Sequence, residues 1–371
     1  MSVHEFSQFP SEAVILPEKL PRRVLIVTQV DKPPLAAAIA DAFRSRGMET
    51  RVFYSWLCNT WFDRLVIRPA NHYARTLRLI PKSQNLFQGH PKSHKEWRSR
   101  QAIELCRDFK PELILITGVQ RFKPEVLEEF QATGAVFYWF TESETRFHEI
   151  EHELPYYDHI YCISSLSMKQ ARSLGRSTSL LLHAVNTFEF HPLNLPKIYD
   201  WCFVGQWHPR RQEYAEGLAE VSKKFAIYGP RWRRRTWNKP ALWLGIKGKG
   251  IWEEKLNRLY NQTKVVINIS VWGDEKKGSH GVNMRLLEVP ACRTCLLSDY
   301  ASDAQKLLVP DREFVSAATL PEMQAKLAEL LHDDKKREEI AAAGYQKATT
   351  VRTYGHLVAE ICTDWARLKG F

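Results

Sequence analysis

The sequence predicts an α/β protein made of two similar halves, each a parallel sheet covered by helices. Three observations carry this. Short apolar runs alternate with longer amphipathic segments along the chain. The runs are apolar on both faces, as strands buried between two helical layers must be. The pattern then restarts after a proline-bearing stretch near the middle, and 371 residues suffice for two domains of ordinary length.

The first half opens with Arg23-Val-Leu-Ile-Val-Thr28, a buried strand. Pro34 to Gly47 is the helix after it, closed by its glycine. Glu112-Leu-Ile-Leu-Ile-Thr117 is a second strand, followed by Gly118 and a helix from about Pro124 to Gln131. Ala135-Val-Phe-Tyr-Trp-Phe140 and His159-Ile-Tyr-Cys-Ile163 are further strands. The stretch from Trp56 to Arg100, rich in Arg, His and aromatic residues, reads as helical with irregular parts.

Residues 1–185 therefore form a Rossmann-like N-terminal domain, and residues 186–200, with Pro192 and Pro196, form a linker. In the second domain, residues 201–350, Trp201-Cys-Phe-Val-Gly205 is followed by a helix from about Pro209 to Val221. Phe225-Ala-Ile-Tyr-Gly229, Lys264-Val-Val-Ile-Asn-Ile269 and Thr294-Cys-Leu-Leu-Ser298 are its other strands. Thr319-Leu-Pro-Glu322 reads as a capping box before a helix with Leu320, Met323, Leu327 and Leu330 at helical spacing. The final segment, 351–371, is a helix with Tyr354, Leu357, Val358, Ile361, Trp365 and Leu368 on one stripe. Either it closes the second domain or it packs back on the first.

Composition excludes several classes. With 44% hydrophobic and 26% charged residues the chain is globular rather than disordered. No run of about 18 apolar residues is long enough to span a bilayer, and the first 21 residues carry Glu5, Glu12 and Glu18 rather than a signal-peptide core. The seven cysteines are scattered and odd in number, which suits a reducing compartment. Cytoplasmic location is the expectation. Cys292 and Cys295 have metal spacing without a second pair and read as structural. His148 and His152 lack supporting ligands and read as surface or packing residues. The net charge of +11 favours partners that carry phosphate or other anionic groups.

Ligands of open α/β sheets bind at the carboxyl ends of the strands. The segment Gly281-Val-Asn-Met-Arg-Leu-Leu-Glu288 follows a polar loop, Gly273 to His280, and opens a helix near Asn283. A helix start suits a diphosphate, Gly281 allows close backbone approach, and Arg285 offers a two-pronged phosphate contact. Glu288 has two acceptor oxygens for a ribose diol. The rival reading is an Arg285–Glu288 pair one turn apart on a solvated face. In the first half, Glu142 and Glu144 follow the strand ending at Phe140, and either could take a proton from a hydroxyl; a solvated acidic loop is the rival. Glu142 is preferred because it lies nearer the strand end. Tyr228 to Gly250 holds seven Arg and Lys residues interleaved with Trp232, Trp237 and Trp243, and no acid. Such a patch suits phosphate or an anionic acceptor, single-stranded nucleic acid, or merely a solvated loop.

The segment from Gly281 to Glu288, with Ala291-Cys292-Arg293 and Leu296-Leu297-Ser298-Asp299 after it, resembles the nucleotide-sugar signature of GT-B glycosyltransferases, especially the family related to the spore-maturation protein CgeB. Other segments match in the same order: His183-Ala184-Val185-Asn186 with Phe190-His191-Pro192, Phe203-Val204-Gly205 with Arg210 and Arg211, and Ile227-Tyr228-Gly229-Pro230-Arg231-Trp232. The likeness runs from about Tyr138 to the C-terminus. It implies two Rossmann-like domains facing a central crevice and transfer of a sugar from a nucleoside-diphosphate donor, UDP-linked, to a hydroxyl of a glycan, protein or small molecule. By that resemblance Gly205, Arg210, Tyr228, Gly229, Arg231, His280, Gly281, Val282, Asn283, Arg285 and Glu288 contact the donor, with Glu288 on the ribose, and Glu142 and Glu144 correspond to the family's acidic pair. His280 stands where retaining GT-B enzymes often carry Glu, and Arg293 replaces a Gly. No Asp-x-Asp follows a strand, so the expected enzyme needs neither metal nor cofactor. A nucleotide-sugar epimerase and a basic nucleic-acid-binding module are the rivals; the second lacks any helix-turn-helix, zinc-finger or RNP signature.

Overall fold

A computed structural model describes residues 15–29, 35–271, 281–300 and 302–371. It divides into two compact units. One comprises Lys19–Leu181 with Asp364–Phe371, the other Leu182–Thr363 with residues 15–18.

The first unit is built on a six-stranded sheet: β1 (Arg23–Thr28), β2 (Glu49–Tyr54), β3 (Leu113–Thr117), β4 (Ala135–Phe140), β5 (His159–Cys162) and β6 (Thr178–Leu180). The order is β2-β1-β3-β4-β5-β6 and every pairing is parallel. The central strands are buried along their length, and β4 places Phe137, Tyr138, Trp139 and Phe140 wholly out of water. Each such side chain contributes roughly 1.5–3 kcal/mol relative to exposure. Burial on both faces is why these strands read as unbroken apolar runs.

The second unit repeats the plan with β7 (Tyr199–Val204), β8 (Phe225–Tyr228), β9 (Ile246–Gly248), β10 (Thr263–Asn268), β11 (Cys295–Asp299) and β12 (Val315–Ala317). Their order is β12-β11-β10-β7-β8-β9, again parallel throughout. Residues 186–200 do not run free: Leu193 N donates to Asn261 Oδ1 at 2.6 Å, and Asn261 Nδ2 donates to the His191 carbonyl at 3.0 Å. The unit boundary accordingly falls earlier, between Leu181 and Leu182.

Where expected elements and observed ones differ, the cause is local. β2 reads Glu-Thr-Arg-Val-Phe-Tyr, a half-exposed edge strand whose charges hide its period. β6, β9 and β12 span three residues each, too few to show any period. The irregular stretch after Trp56 resolves into a π-helical turn, Asp63–Ile67, running into a helix Arg68–Thr76, then turns, then a helix His94–Phe109 capped by Ser93. Tyr354–Leu368 is the expected last helix, with Tyr354, Leu357, Val358, Ile361 and Trp365 buried and Leu368 exposed. Its end belongs to the first unit, where Tyr161 donates to Asp364 at 2.9 Å and Trp365 Nε1 to the Glu112 carbonyl at 3.2 Å. No helix among the described residues is long and apolar enough to cross a membrane.

Gly344 lies inside the helix Asp334–Val351, and a Cβ there would collide with the Glu313 carbonyl oxygen. Replacing an interior helix glycine by alanine normally stabilises by roughly 1 kcal/mol. Gly344→Ala is expected to reverse that sign and destabilise by about 1–3 kcal/mol through overpacking. Urea denaturation of parent and variant measures it; a gain in stability would contradict the close packing.

Candidate active site

In the second sheet the chain runs from β7 to β8 on one side, while β10 lies on the other. Strand order reverses there, and at such a reversal the carboxyl ends leave a crevice for a ligand. Gly205 follows β7 and Gly229 follows β8. Gly205 N donates to the Tyr228 carbonyl at 2.8 Å, and the Gly205 carbonyl accepts from Trp232 Nε1 at 2.8 Å. A Cβ on Gly229 would drive into that carbonyl, so only glycine lets the two strand ends approach this closely.

Two guanidiniums meet at the end of β7. Arg285 donates through Nη1 to the Val204 carbonyl at 2.6 Å. Arg211, buried on the helix Pro209–Val221, donates to the carbonyls of Ile269 and Gln206, each at 2.9 Å. Both lie against the Phe203 ring, at 5.7 Å and 5.4 Å from its centroid. Neither has a carboxylate partner within salt-bridge distance among the described residues. Burial, and next the charge of Arg285, lower the Arg211 pKa to about 9. Two cations held together without a counter-ion form a site for an anion.

Arg210 is committed differently. Its Nη1 pairs with the buried Asp299 at 2.6 Å and with the Ser270 carbonyl at 2.5 Å. Asp299 also accepts from Ser270 N. This bracing fixes the carboxyl ends of β10 and β11 to each other. Asn283 Nδ2 donates to Asn268 Oδ1 at 2.8 Å, and Asn283 Oδ1 accepts from Arg285 N at 3.2 Å. The loop entering the helix Arg285–Ala291 is thus tied to β10, and Asn283 Oδ1 accepts the N–H of Arg285, the first helical residue.

Glu288 settles one of the alternatives left open by spacing. It is 7% exposed and forms no ion pair with Arg285, so the solvated surface pair is excluded. Its carboxylate has no hydrogen-bond partner among the described residues. Burial pushes its pKa up to about 7; Arg285 works against that shift and Glu189 adds to it. Tyr354, whose buried hydroxyl lacks a partner, also feels this carboxylate. Glu189 and Tyr354 carry no pattern in the sequence that marks them; only folding brings them to Glu288.

Of the other expected donor residues, Gly281 and Val282 are buried, Tyr228 is half-buried, and His280 lies outside the described residues. Arg231 is exposed with φ +71°, a left-handed conformation that turns the chain after Gly229. The basic Trp-bearing stretch does not form one stacking surface. Trp232 is core, while Arg233 lies over Trp243 and Arg235 over Trp207.

In the first unit, Glu142 is one-third exposed and accepts from Arg146 Nη1 at 2.7 Å; Arg146 is itself held by Glu149. Glu144 is 5% exposed, and both its oxygens are sealed from solvent without a hydrogen-bond partner. Of the two, only Glu142 presents a carboxylate to an incoming molecule. The same unit contains a cavity of about 1150 Å³ lined by Trp56, Arg68, Arg75, Phe87, His94 and Lys95 among others. His94 Nε2 lies 3.0 Å from the Ser55 carbonyl, which can only accept, so the proton is on Nε2 and Nδ1 keeps its lone pair. Burial lowers the His94 pKa, keeping the ring neutral. Among the described residues no group of three His, Cys, Asp or Glu side chains is placed to hold a metal ion.

These two sheets have known counterparts. Sucrose-phosphate synthase from Thermosynechococcus elongatus superposes with a TM-score of 0.66 at 10% identity, covering 94% of this chain and 99% of that one. HepE of Anabaena, solved in complex with UDP and glucose, gives 0.63 at 10% identity over 93% and 100%. The chain has the GT-B fold. At 9% identity, a structure described as a UDP-N-acetylglucosamine 2-epimerase from Listeria monocytogenes scores 0.52, covering 94% of this chain and 97% of that one. In sequence, a family model described as "Glycosyl transferase-like" matches residues 210–363, within the unit that holds Arg211, Arg285 and Glu288. No curated protein matches the chain in sequence.

The raised Glu288 pKa has a consequence for this GT-B protein. Between its ordinary 4.5 and about 7 the folded chain keeps a proton that the unfolded chain has lost. Stability therefore falls as pH rises through that window. Glu288→Gln is expected to match the parent at about pH 5 and exceed it at about pH 8, by on the order of 3 kcal/mol at most. Denaturant titrations at both values test this; an unchanged difference would show that Glu288 ionises normally.

Proposed function

We propose that this protein is a glycosyltransferase, related to the CgeB group, that moves a sugar from a UDP-linked donor to an acceptor hydroxyl. The observation that carries the reading is the pairing of two guanidiniums, Arg211 and Arg285, with no salt-bridge partner among the described residues, beside the buried carboxylate of Glu288 on the same helix as Arg285. A nucleoside diphosphate presents anion and diol in that combination. The diphosphate neutralises Arg211 and Arg285, and a ribose diol gives Glu288 the hydrogen bonds it lacks. Phosphate charge met by guanidinium supports transfer without a metal ion. The family match over residues 210–363 and the UDP named in the HepE structure support a nucleotide donor.

On the acceptor side Glu142 is the proposed general base, oriented by Arg146. Glu144, two residues on and sealed from solvent, is not assigned the proton transfer. A base of this kind contributes typically about 100- to 10,000-fold.

Arg285→Lys keeps the charge but loses the planar fork, and Glu288→Ala loses the ribose acceptor. Each is expected to weaken UDP binding at least about tenfold by isothermal titration, corresponding to roughly 1.5–3 kcal/mol for a charged hydrogen bond. UDP binding near neutral pH is also expected to release protons, because the diol favours ionised Glu288. UDP-sugar converted without UDP release would identify an epimerase instead.

With an acceptor identified by UDP release, Glu142→Gln at saturating donor is expected to retain donor affinity and lose at least about 100-fold in turnover. Near-parental turnover would remove Glu142 from the chemistry.

A further inference from the structure

The cavity of the first unit lies beside the residues that follow β2 and β3 and is strongly cationic. Its two acids are already satisfied. Asp63 is buried, accepts from Arg68 at 2.6 Å and receives the His94 backbone N–H at 2.9 Å. Glu96 pairs with Lys123 at 2.5 Å. Arg75, Lys82 and Lys95 also line the cavity, and none has a carboxylate partner among the described residues. Arg75 is held in place by neutral oxygens, with Nη2 2.9 Å from the Gln84 carbonyl and also on Asn85 Oδ1. The cavity therefore carries positive charge that no carboxylate among the described residues pairs with.

The segment that supplies most of its lining also exposes apolar side chains. Trp61, Leu65, Tyr73, Leu77, Leu79 and Leu86 are each more than half exposed. Between Trp56 and Lys92 the sequence carries Arg64, Arg68, Arg75, Arg78, Lys82 and Lys92 against the single buried acid Asp63. Exposed Trp, Tyr and Leu interleaved with cations suit the boundary of an anionic lipid layer, where rings and alkyl chains enter the headgroup region and cations meet phosphate. A site for a neutral, fully soluble sugar would need neither feature.

We propose that this cavity binds the phosphate group of an amphiphilic, lipid-carried acceptor, with Arg75, Lys82 and Lys95 on the phosphate and the segment's exposed apolar side chains against the lipid. The word acceptor rests on the glycosyltransferase reading; the phosphate site does not. His94 Nδ1, with its lone pair, can accept a hydrogen bond from a hydroxyl beside that phosphate.

The test uses the full chain and phosphatidylcholine vesicles with and without phosphatidylglycerol, at about physiological salt. Lys82 and Lys95 are exposed and make no structural bond, so Lys82→Glu/Lys95→Glu is expected to fold. Lys169→Glu/Arg172→Glu, on the exposed face of another helix, changes net charge equally and serves as control. Parent and control are expected to co-float with anionic vesicles, and the cavity variant to bind at least about tenfold more weakly. UDP titration of the same variant reads the donor site separately and is expected to be unchanged; loss of UDP binding in the parent would sink the glycosyltransferase reading alone. Equal vesicle binding by cavity variant and control would overturn the cavity as the site. Saturable binding of glycerol phosphate in solution without vesicle binding would overturn the lipid source.

Discussion

The Phe203 ring at the end of β7, with Arg211 and Arg285 both against it, is the constraint on which the second unit's site depends. Bringing two guanidiniums together with no carboxylate at salt-bridge distance among the described residues is unfavourable, and the fold offsets it with backbone oxygens. Val204, Ile269 and Gln206 each give a carbonyl to one of them. Carbonyls satisfy N–H groups without cancelling charge. The positive potential therefore survives, where an Asp in the same place would have neutralised it. Asp299 stands close enough to act on Arg211 through its charge, but its direct ion pair is with Arg210, which separates a bracing arginine from two that bond only to carbonyls.

Glu288 completes the contrast. A carboxyl buried without a hydrogen-bond partner is costly, and the raised pKa expresses that cost. Core packing alone would favour Leu or Met at this helix position, among neighbours such as Leu286, Leu287 and Val289. An ionisable group kept in the core one turn from Arg285 fits the proposed donor site, where a ligand carrying both an anion and a diol closes the balance. Under the proposed reading destabilisation and function have the same origin, since the groups assigned to the donor are those the fold leaves without an ionic partner among the described residues.

How much of this was legible in sequence follows from how each feature is encoded. Central parallel strands are buried on both faces, so β1 and β4 stand out as uninterrupted apolar runs with the bounds they have in the fold. Edge strands such as β2 alternate with charge and vanish into their surroundings. In the site, Arg285 and Glu288 were legible because their spacing lies within one helix. Whether they pair on the surface or point into a pocket depends on the sheet beneath them, which spacing cannot express. Arg211, Glu189 and Tyr354 come from three distant segments, and no local pattern announces their convergence on the Arg285–Glu288 helix.

The first unit illustrates a different limit. The residues from Trp56 to Arg100 read poorly because most of their large apolar side chains do not face a core. Trp61, Leu65 and Tyr73 sit on helical turns yet point to solvent, so the periodicity that normally reports burial reports nothing there. A buried core would have produced a clean amphipathic stripe; an exposed surface leaves apolar residues interleaved with arginine. The illegibility of the stretch and its exposed hydrophobicity are the same physical fact. Together with a cavity whose acids are already paired, they make this region the part of the molecule least explained by its own stability, and the part to which the proposed phosphate site belongs.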